Sequence, residues 1–211
     1  MDWPAKLRGF YAILDRDDPK LADDLLSAAT VLQIRLKQAS RGDLLRNALW
    51  VKRLCAERGA LLVVNDHLDV ALEAGADAVH LGQDDMPLGE ARRRAAGSSL
   101  RIGVSTHTLD QVARAVAGGA DYLGFGPVYP TGSKANPDPV VGPAGLSAAV
   151  RGAAPLPVVA IGGITPDRAR AVAGSGAWAA CAISAVNRAA DVRAAAAAVA
   201  AAFSAARSRP A

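Results

Sequence analysis

Short apolar runs alternate with amphipathic stretches along the whole chain. Strands are expected at 10–14, 31–35, 61–64, 78–81, 101–104, 122–125, 157–161 and 179–183. Several of these are continuous apolar runs, the pattern of parallel strands buried on both faces. Between them apolar residues recur at helical spacing near 19–29, 41–58, 67–75, 87–96, 108–118, 143–153, 166–175 and 188–206.

The punctuation agrees with that division. Gly59, Gly75, the pair Gly118 and Gly119, and Gly176 follow helical segments, where glycine favours a helix end. Pro87 and Pro166 fall where a first helical turn tolerates proline. Three phrases, AGADAVHLG, GGADYLGFG and GSGAWAACA, each read as a helix ending at glycine and running into a strand. Eight strand–helix units in 211 residues predict the α/β class and a single (β/α)8 TIM barrel spanning residues 1–211. An open doubly wound sheet is the alternative.

Composition narrows the class further. A chain of this length buries roughly 70 % of its extended surface on folding, so it needs no staple to hold a core. Its two cysteines, Cys55 and Cys181, fall in a helical pattern and an apolar strand. They read as reduced core residues, which suits a reducing compartment. The first ten residues lack the apolar run of a signal peptide and no stretch approaches a membrane span, so a cytoplasmic protein without a membrane partner is expected. The net charge of +4 suits anionic small molecules. The run Arg92, Arg93 and Arg94 has no interleaved aromatics and reads as a solvated helix face, not a nucleic-acid surface. A homo-oligomer is left open.

A barrel of this kind carries its chemistry at the C-terminal ends of its strands. Polar residues gather there. Gln33, Arg35 and Lys37 follow one another at strand alternation, which would send an amide and two cations to one side. Asn65 and Asp66 end the third strand, and Gln83, Asp84 and Asp85 follow the fourth. Adjacent strands lie about 4.8 Å apart, so Asp66 and Asp85 are placed to share one hard cation such as Mg2+. Asp66 also stands where it would cap a helix opening at His67.

The other strand ends add hydroxyls and glycines. Strand five ends at Ser105. Strand six opens into a long segment, 126–143, in which Thr131, Gly132, Ser133 and Lys134 offer two hydroxyls, backbone N–H groups and a cation to a phosphate. Gly162 and Gly163 after strand seven, with Ser184 after strand eight, occupy the usual phosphate position of such barrels. His80 lies in an apolar strand and reads as a packed residue. His67 and His107 show no metal-ligand spacing, and no nucleophile–base pair stands out.

In chain order these pieces are QIRLK at 33–37, ND at 65–66, HLGQDD at 80–85, GVS at 103–105, GFGPVYPTGSK at 124–134, AIGGI at 160–164 and ISA at 183–185. Together they resemble the thiamine-phosphate synthase (thiamine-phosphate pyrophosphorylase) family from Tyr11 to Ala185. The resemblance implies a transferase. It would join 4-amino-2-methyl-5-pyrimidinylmethyl diphosphate to a thiazole or carboxythiazole phosphate, giving thiamine phosphate and pyrophosphate by a dissociative displacement. It implies that Gln33, Arg35, Lys37, Asn65, Ser105 and Lys134 hold the pyrimidine diphosphate, with Ile34 and Leu36 also among the substrate-binding residues. Of these, Arg35, Lys37, Ser105 and Lys134 would stabilise the reaction. Asp66 and Asp85 would hold Mg2+. Thr131, Gly132, Ser133, Gly163, Ile183 and Ser184 would hold the thiazole phosphate.

The chain departs from the family at three places. Leu36 stands where an acid is usual, the phosphate segment reads Thr-Gly-Ser-Lys instead of Thr-Pro-Thr-Lys, and Trp178 stands where an aspartate is usual. Two other readings remain: a thiazole tautomerase on the same barrel, and a non-catalytic binder of thiamine phosphate. The tautomerase would lack the Asn65–Asp66 pair and the metal aspartates. A binder would have no need of a leaving-group metal.

Overall fold

The computed structural model describes residues 3–132 and 138–206. Eight strands pair in sequence order, all parallel, and the eighth pairs with the first to close a barrel. They are β1 (Gly9–Leu14), β2 (Val31–Ile34), β3 (Leu61–Asn65), β4 (Ala78–Leu81), β5 (Arg101–Thr106), β6 (Tyr122–Phe125), β7 (Val158–Ile161) and β8 (Ala179–Ala182). The expected α/β barrel is the fold observed, and the open sheet is not.

The helices between them are α2 (Pro19–Leu26), α3 (Arg41–Glu57), α4 (Leu68–Glu73), α5 (Leu88–Arg94), α6 (Leu109–Ala117), α7 (Gly142–Ala153) and α8 (Pro166–Gly174). Two one-turn helices were not expected: α1 (Trp3–Lys6), ahead of the barrel, and α9 (Ser184–Asn187), directly after β8. A single turn is too short to show helical periodicity. Because α9 is separate, the last helix, α10 (Val192–Ala206), begins later than the expected 188.

Strand alternation divides the core in two. Phe10, Ala12, Leu14, Leu32, Ile34 and Leu62 point outward beneath the helices. Tyr11, Ile13, Val31, Val63, Tyr122 and Cys181 point inward. The inside is filled by rings as well as branched aliphatics. A Cβ on Gly103 would fall 2.1 Å from Tyr122 Cζ, and one on Gly124 would fall 3.1 Å from His80 Cε1. Those two glycines leave room for the rings opposite. Trp3 of α1 lies against the cluster, with its ring centroid 6.0 Å from that of Tyr122.

The repeated phrases lie at the opposite end from the strand ends that carry the site. Asp77, ahead of β4, accepts from Leu62 N at 2.8 Å and from Lys52 Nζ at 2.7 Å. Asp121, ahead of β6, accepts from Ile102 N at 2.7 Å and from Arg92 Nη2 at 2.6 Å. Each carboxylate staples its own strand to the preceding one. Trp178 occupies the equivalent place ahead of β8 but makes a different contact, with the Arg8 guanidinium carbon 3.6 Å from its ring centroid. A cation–π stack of this kind is worth about 0.5–1 kcal/mol at an exposed site, and it spans the junction of β8 with the start of β1. Asp121→Ala strands the Ile102 N–H without its acceptor. The expected cost is about 1–3 kcal/mol, read as a lower urea midpoint with an unchanged slope.

Candidate active site

The strand ends open into a cavity of about 540 Å3. Its floor is a chain of hydrogen bonds inside the barrel. Gln33 Nε2 donates to Tyr11 Oη at 2.9 Å, the Tyr11 and Tyr122 hydroxyls meet at 3.1 Å, and Tyr122 Oη lies 3.0 Å from His80 Nδ1. His80 Nε2 then reaches Ser105 Oγ at 2.9 Å. Around this chain the floor is apolar, with Ile13, Val159, Ile161 and Cys181 on the lining. A buried polar chain of this sort stays in place only when its members satisfy one another.

His80 is therefore more than the packed histidine expected. Burial pushes its pKa down to about 4, a change the Asp85 charge opposes and Arg35 reinforces. At neutral pH the ring is uncharged, with one N–H and one lone pair for its two hydroxyl partners. Burial likewise pushes the Cys181 thiol up to about 12 and raises both phenols, so the floor carries no charge.

Above the floor the charges converge. Asp66, at the end of β3, has its carboxyl pKa raised to about 7, first by desolvation and then by the hydrogen bond and charge of Asp85. Arg35 and Asn65 oppose that rise from beside it. Asp66 sits at φ 64, the left-handed region that asparagine and aspartate tolerate best among residues with a side chain. Its N–H donates to His80 O at 2.8 Å, which extends the β3–β4 ladder by one step and turns the carboxyl over the mouth. Asp85 Oδ2 accepts from Gly82 N at 2.6 Å, and a Cβ on residue 82 would lie 2.8 Å from that oxygen. Gly82 is what lets the carboxylate fold back against its own loop. Asp66 does not cap the next helix: α4 begins at Leu68, and the cap position, His67, makes no side-chain bond there.

Two carboxylates held together without a third suit a divalent cation that keeps most of its remaining positions for water and phosphate oxygen. Among the described residues there is no cluster of three or more His, Cys, Asp or Glu that would make an all-protein cage. The donor set fits Mg2+.

Of the residues picked from the sequence, Gln33, Arg35, Asn65, Asp66, Asp85 and Ser105 line one part of this cavity, and Thr131, Gly163, Ile183 and Ser184 another. The expected alternation of Gln33, Arg35 and Lys37 does not hold, because β2 stops at Ile34. Gln33 points into the floor, whereas Arg35 sits at the rim between this cavity and a second one of about 440 Å3. Lys37 and Leu36 line the second cavity with Asp15, Arg16 and Asp17, outside the main one. Ile34 is wholly buried in the outer core and offers no side chain to a ligand. Gly132 is exposed and does not line the cavity. Ser133 and Lys134 lie outside the described residues. His107 and Asp138 were missed as lining residues: His107 Nδ1 meets Gly126 O at 2.6 Å, and its Nε2 lies 3.5 Å from Asp138 Oδ2.

Comparison with known proteins points one way. A family model described as thiamine monophosphate synthase matches residues 10–186. The thiamine-phosphate synthase of Anaeromyxobacter dehalogenans is 46% identical over 205 residues, which is 96% of this chain and 91% of that protein. The thiamine-phosphate synthase of Methanocella arvoryzae is 48% identical over 179 residues, 84% of each. Among solved structures, the thiamine phosphate pyrophosphorylase from Pyrococcus furiosus superposes with a TM-score of 0.89 at 36% identity, covering 97% of this chain and 99% of that one. A 3-hexulose-6-phosphate synthase, at 21% identity and a TM-score of 0.72, shares the fold.

Proposed function

The chain belongs to the thiamine monophosphate synthase family, and on that premise we propose how its cavity divides the work. The reaction condenses 4-amino-2-methyl-5-pyrimidinylmethyl diphosphate with a thiazole phosphate to give thiamine phosphate and pyrophosphate. The hydrogen-bonded floor receives the aminopyrimidine ring, whose polar edge matches the amide, hydroxyl and imidazole groups there. The diphosphate lies at the mouth beside Arg35, Asn65 and Ser105, with Asp66 and Asp85 holding Mg2+. Bound there, Mg2+ would neutralise charge on the leaving diphosphate. Thr131, Gly163, Ile183 and Ser184 hold the thiazole phosphate.

Catalysis on this reading is electrostatic and positional. As the C–O bond to the diphosphate breaks, the pyrimidine methylene carbon becomes cationic and the ring delocalises that charge. Arg35 meets the growing negative charge on the leaving oxygen. The neutral floor, His80 included, places no like charge beside the cation. The thiazole nitrogen, held close by its phosphate, then closes the new C–N bond. No side-chain nucleophile is needed. A cytosolic enzyme of small molecules, with no nucleic-acid or membrane partner, completes the reading. Among the described residues, no helix is long and apolar enough to cross a membrane.

One observation carries the proposal: the Asp66 carboxyl, crowded by Asp85 and faced by Arg35 and Asn65, opens onto the same cavity as the polar floor. The test is an assay of thiamine phosphate and pyrophosphate with both substrates. EDTA should abolish both products and added Mg2+ should restore them in equal amounts. Full turnover in EDTA would sink the metal assignment, and proton exchange on the thiazole without coupling would favour the tautomerase.

A further inference from the structure

We propose that Arg168 is a positioning residue for the thiazole-phosphate half of the site, acting as a staple between the loops that follow β6 and β7. This rests on the reading just given, in which Thr131 and Gly163 face that phosphate.

Backbone bonds join the loops beyond the ends of β6 and β7. Val128 N donates to Ile161 O at 2.9 Å, and Tyr129 N donates to Gly162 O at 3.0 Å. The following residue, Pro130, has no N–H to offer. At Gly163 O the donor is a side chain: Arg168, in the first turn of α8, donates from Nη1 at 2.7 Å. The same guanidinium carbon lies 4.6 Å from the centroid of the Tyr129 ring, within cation–π range. One side chain therefore grips both loops at the point where their backbone pairing runs out.

What it grips is close-packed. Gly163 has φ 62, and a Cβ there would fall 2.4 Å from Pro130 O. The two loops touch backbone to backbone. Immediately beyond the contact, Thr131 on one loop and Gly163 and Ile164 on the other line the cavity. Their spacing fixes the width of the phosphate seat. Arg168 is itself exposed and does not line the cavity, so its influence passes through the loops.

The test is steady-state kinetics with each substrate varied, on the full chain with Mg2+. Arg168→Met should raise the KM for the thiazole phosphate about tenfold, as expected for losing a charge-assisted hydrogen bond that holds a binding loop. The KM for the pyrimidine diphosphate and kcat should barely move. Arg168→Lys, which keeps a cation near the ring, should recover part of the loss. Tyr129→Leu should raise the same KM, and the double variant should be no worse than Arg168→Met alone, because both act through one contact. Equal shifts in both KM values, or additive effects in the double variant, would overturn the staple. If Thr131→Val and Ser184→Ala raise the thiazole KM while Arg168→Met does not, the staple is wrong and the phosphate seat stands. If all three leave that KM unchanged, the seat itself is misplaced and the staple falls with it.

Discussion

Changing Asp66 and Asp85 together to asparagine should cut turnover about a thousandfold, the order expected when charge stabilisation of a leaving group is removed. Asparagine is the informative choice at both positions. At residue 66 it tolerates the left-handed backbone almost as well as aspartate. At residue 85 its amide oxygen can still accept the Gly82 N–H. The fold should survive while the charges go, so circular dichroism should match the parent and unfolding should come no earlier. A double variant that keeps its turnover would remove the metal from the account.

The same pair carries a pH dependence whose sign can be worked out. The Asp66 pKa rises from 3.8 to about 7 on folding, so the folded chain holds that proton more tightly than the unfolded chain does. For the metal-free protein this contribution is favourable at the acid end, and it is lost as pH rises from about 4 through about 7. Asp66→Asn should abolish that loss and raise the metal-free midpoint at pH 8 more than at pH 5. Were Asp66 and Asp85 to hold Mg2+ as proposed, protons and the metal would compete for the same oxygens. Half-maximal activity should therefore need more Mg2+ at pH 6 than at pH 8.

The second large effect is expected inside the barrel, below the charged mouth. Gly103→Ala would place a methyl 2.1 Å from Tyr122 Cζ, inside the ring's own volume. The ring cannot swing aside cheaply, because its hydroxyl is tied to Tyr11 and His80 and its body is wholly buried. Overpacking of a tight core costs about 1–3 kcal/mol and sometimes more. Broken hydrogen bonds among buried groups add to that, about 1–3 kcal/mol for each group left unsatisfied. The variant should unfold at clearly lower urea and bind the pyrimidine substrate poorly even where it is folded. Gly89→Ala, on an open face of α5 with nothing within 4 Å, is the matched control and should be neutral or slightly stabilising. If both variants behave alike, the interior is looser than its contacts indicate.

The barrel was legible because its strands are largely apolar and several of its helices end at glycine. The strand signal recurs eight times, and the strand positions were accordingly met to within a residue or two. The acidic pair was legible for a related reason: adjacent parallel strands bring their ends together whatever lies between them in sequence. Failure came where the local period broke. Strand alternation extrapolated past Ile34 sent Lys37 to the wrong cavity, since nothing in QIRLK marks the point at which the strand stops. The floor was missed for the opposite reason. Tyr11, His80 and Tyr122 each look like an ordinary core residue on its own strand, and only closure of the sheet brings them into one chain with Gln33. Trp178 broke the aspartate pattern of its repeat, and its partner, Arg8, lies 170 positions away.

Closure between β1 and β8 also bears on how the molecule is made. The barrel's first strand to leave the ribosome pairs along one side with the barrel's last, Gly9 opposite Ala179 and Ala12 opposite Ala182. Until those final residues emerge, the nascent sheet has two raw edges. Such edges recruit other chains unless they are covered. A translation stall ahead of Ala179 would therefore leave a nearly complete barrel with its most adhesive surface uncovered, and a few more codons remove that hazard.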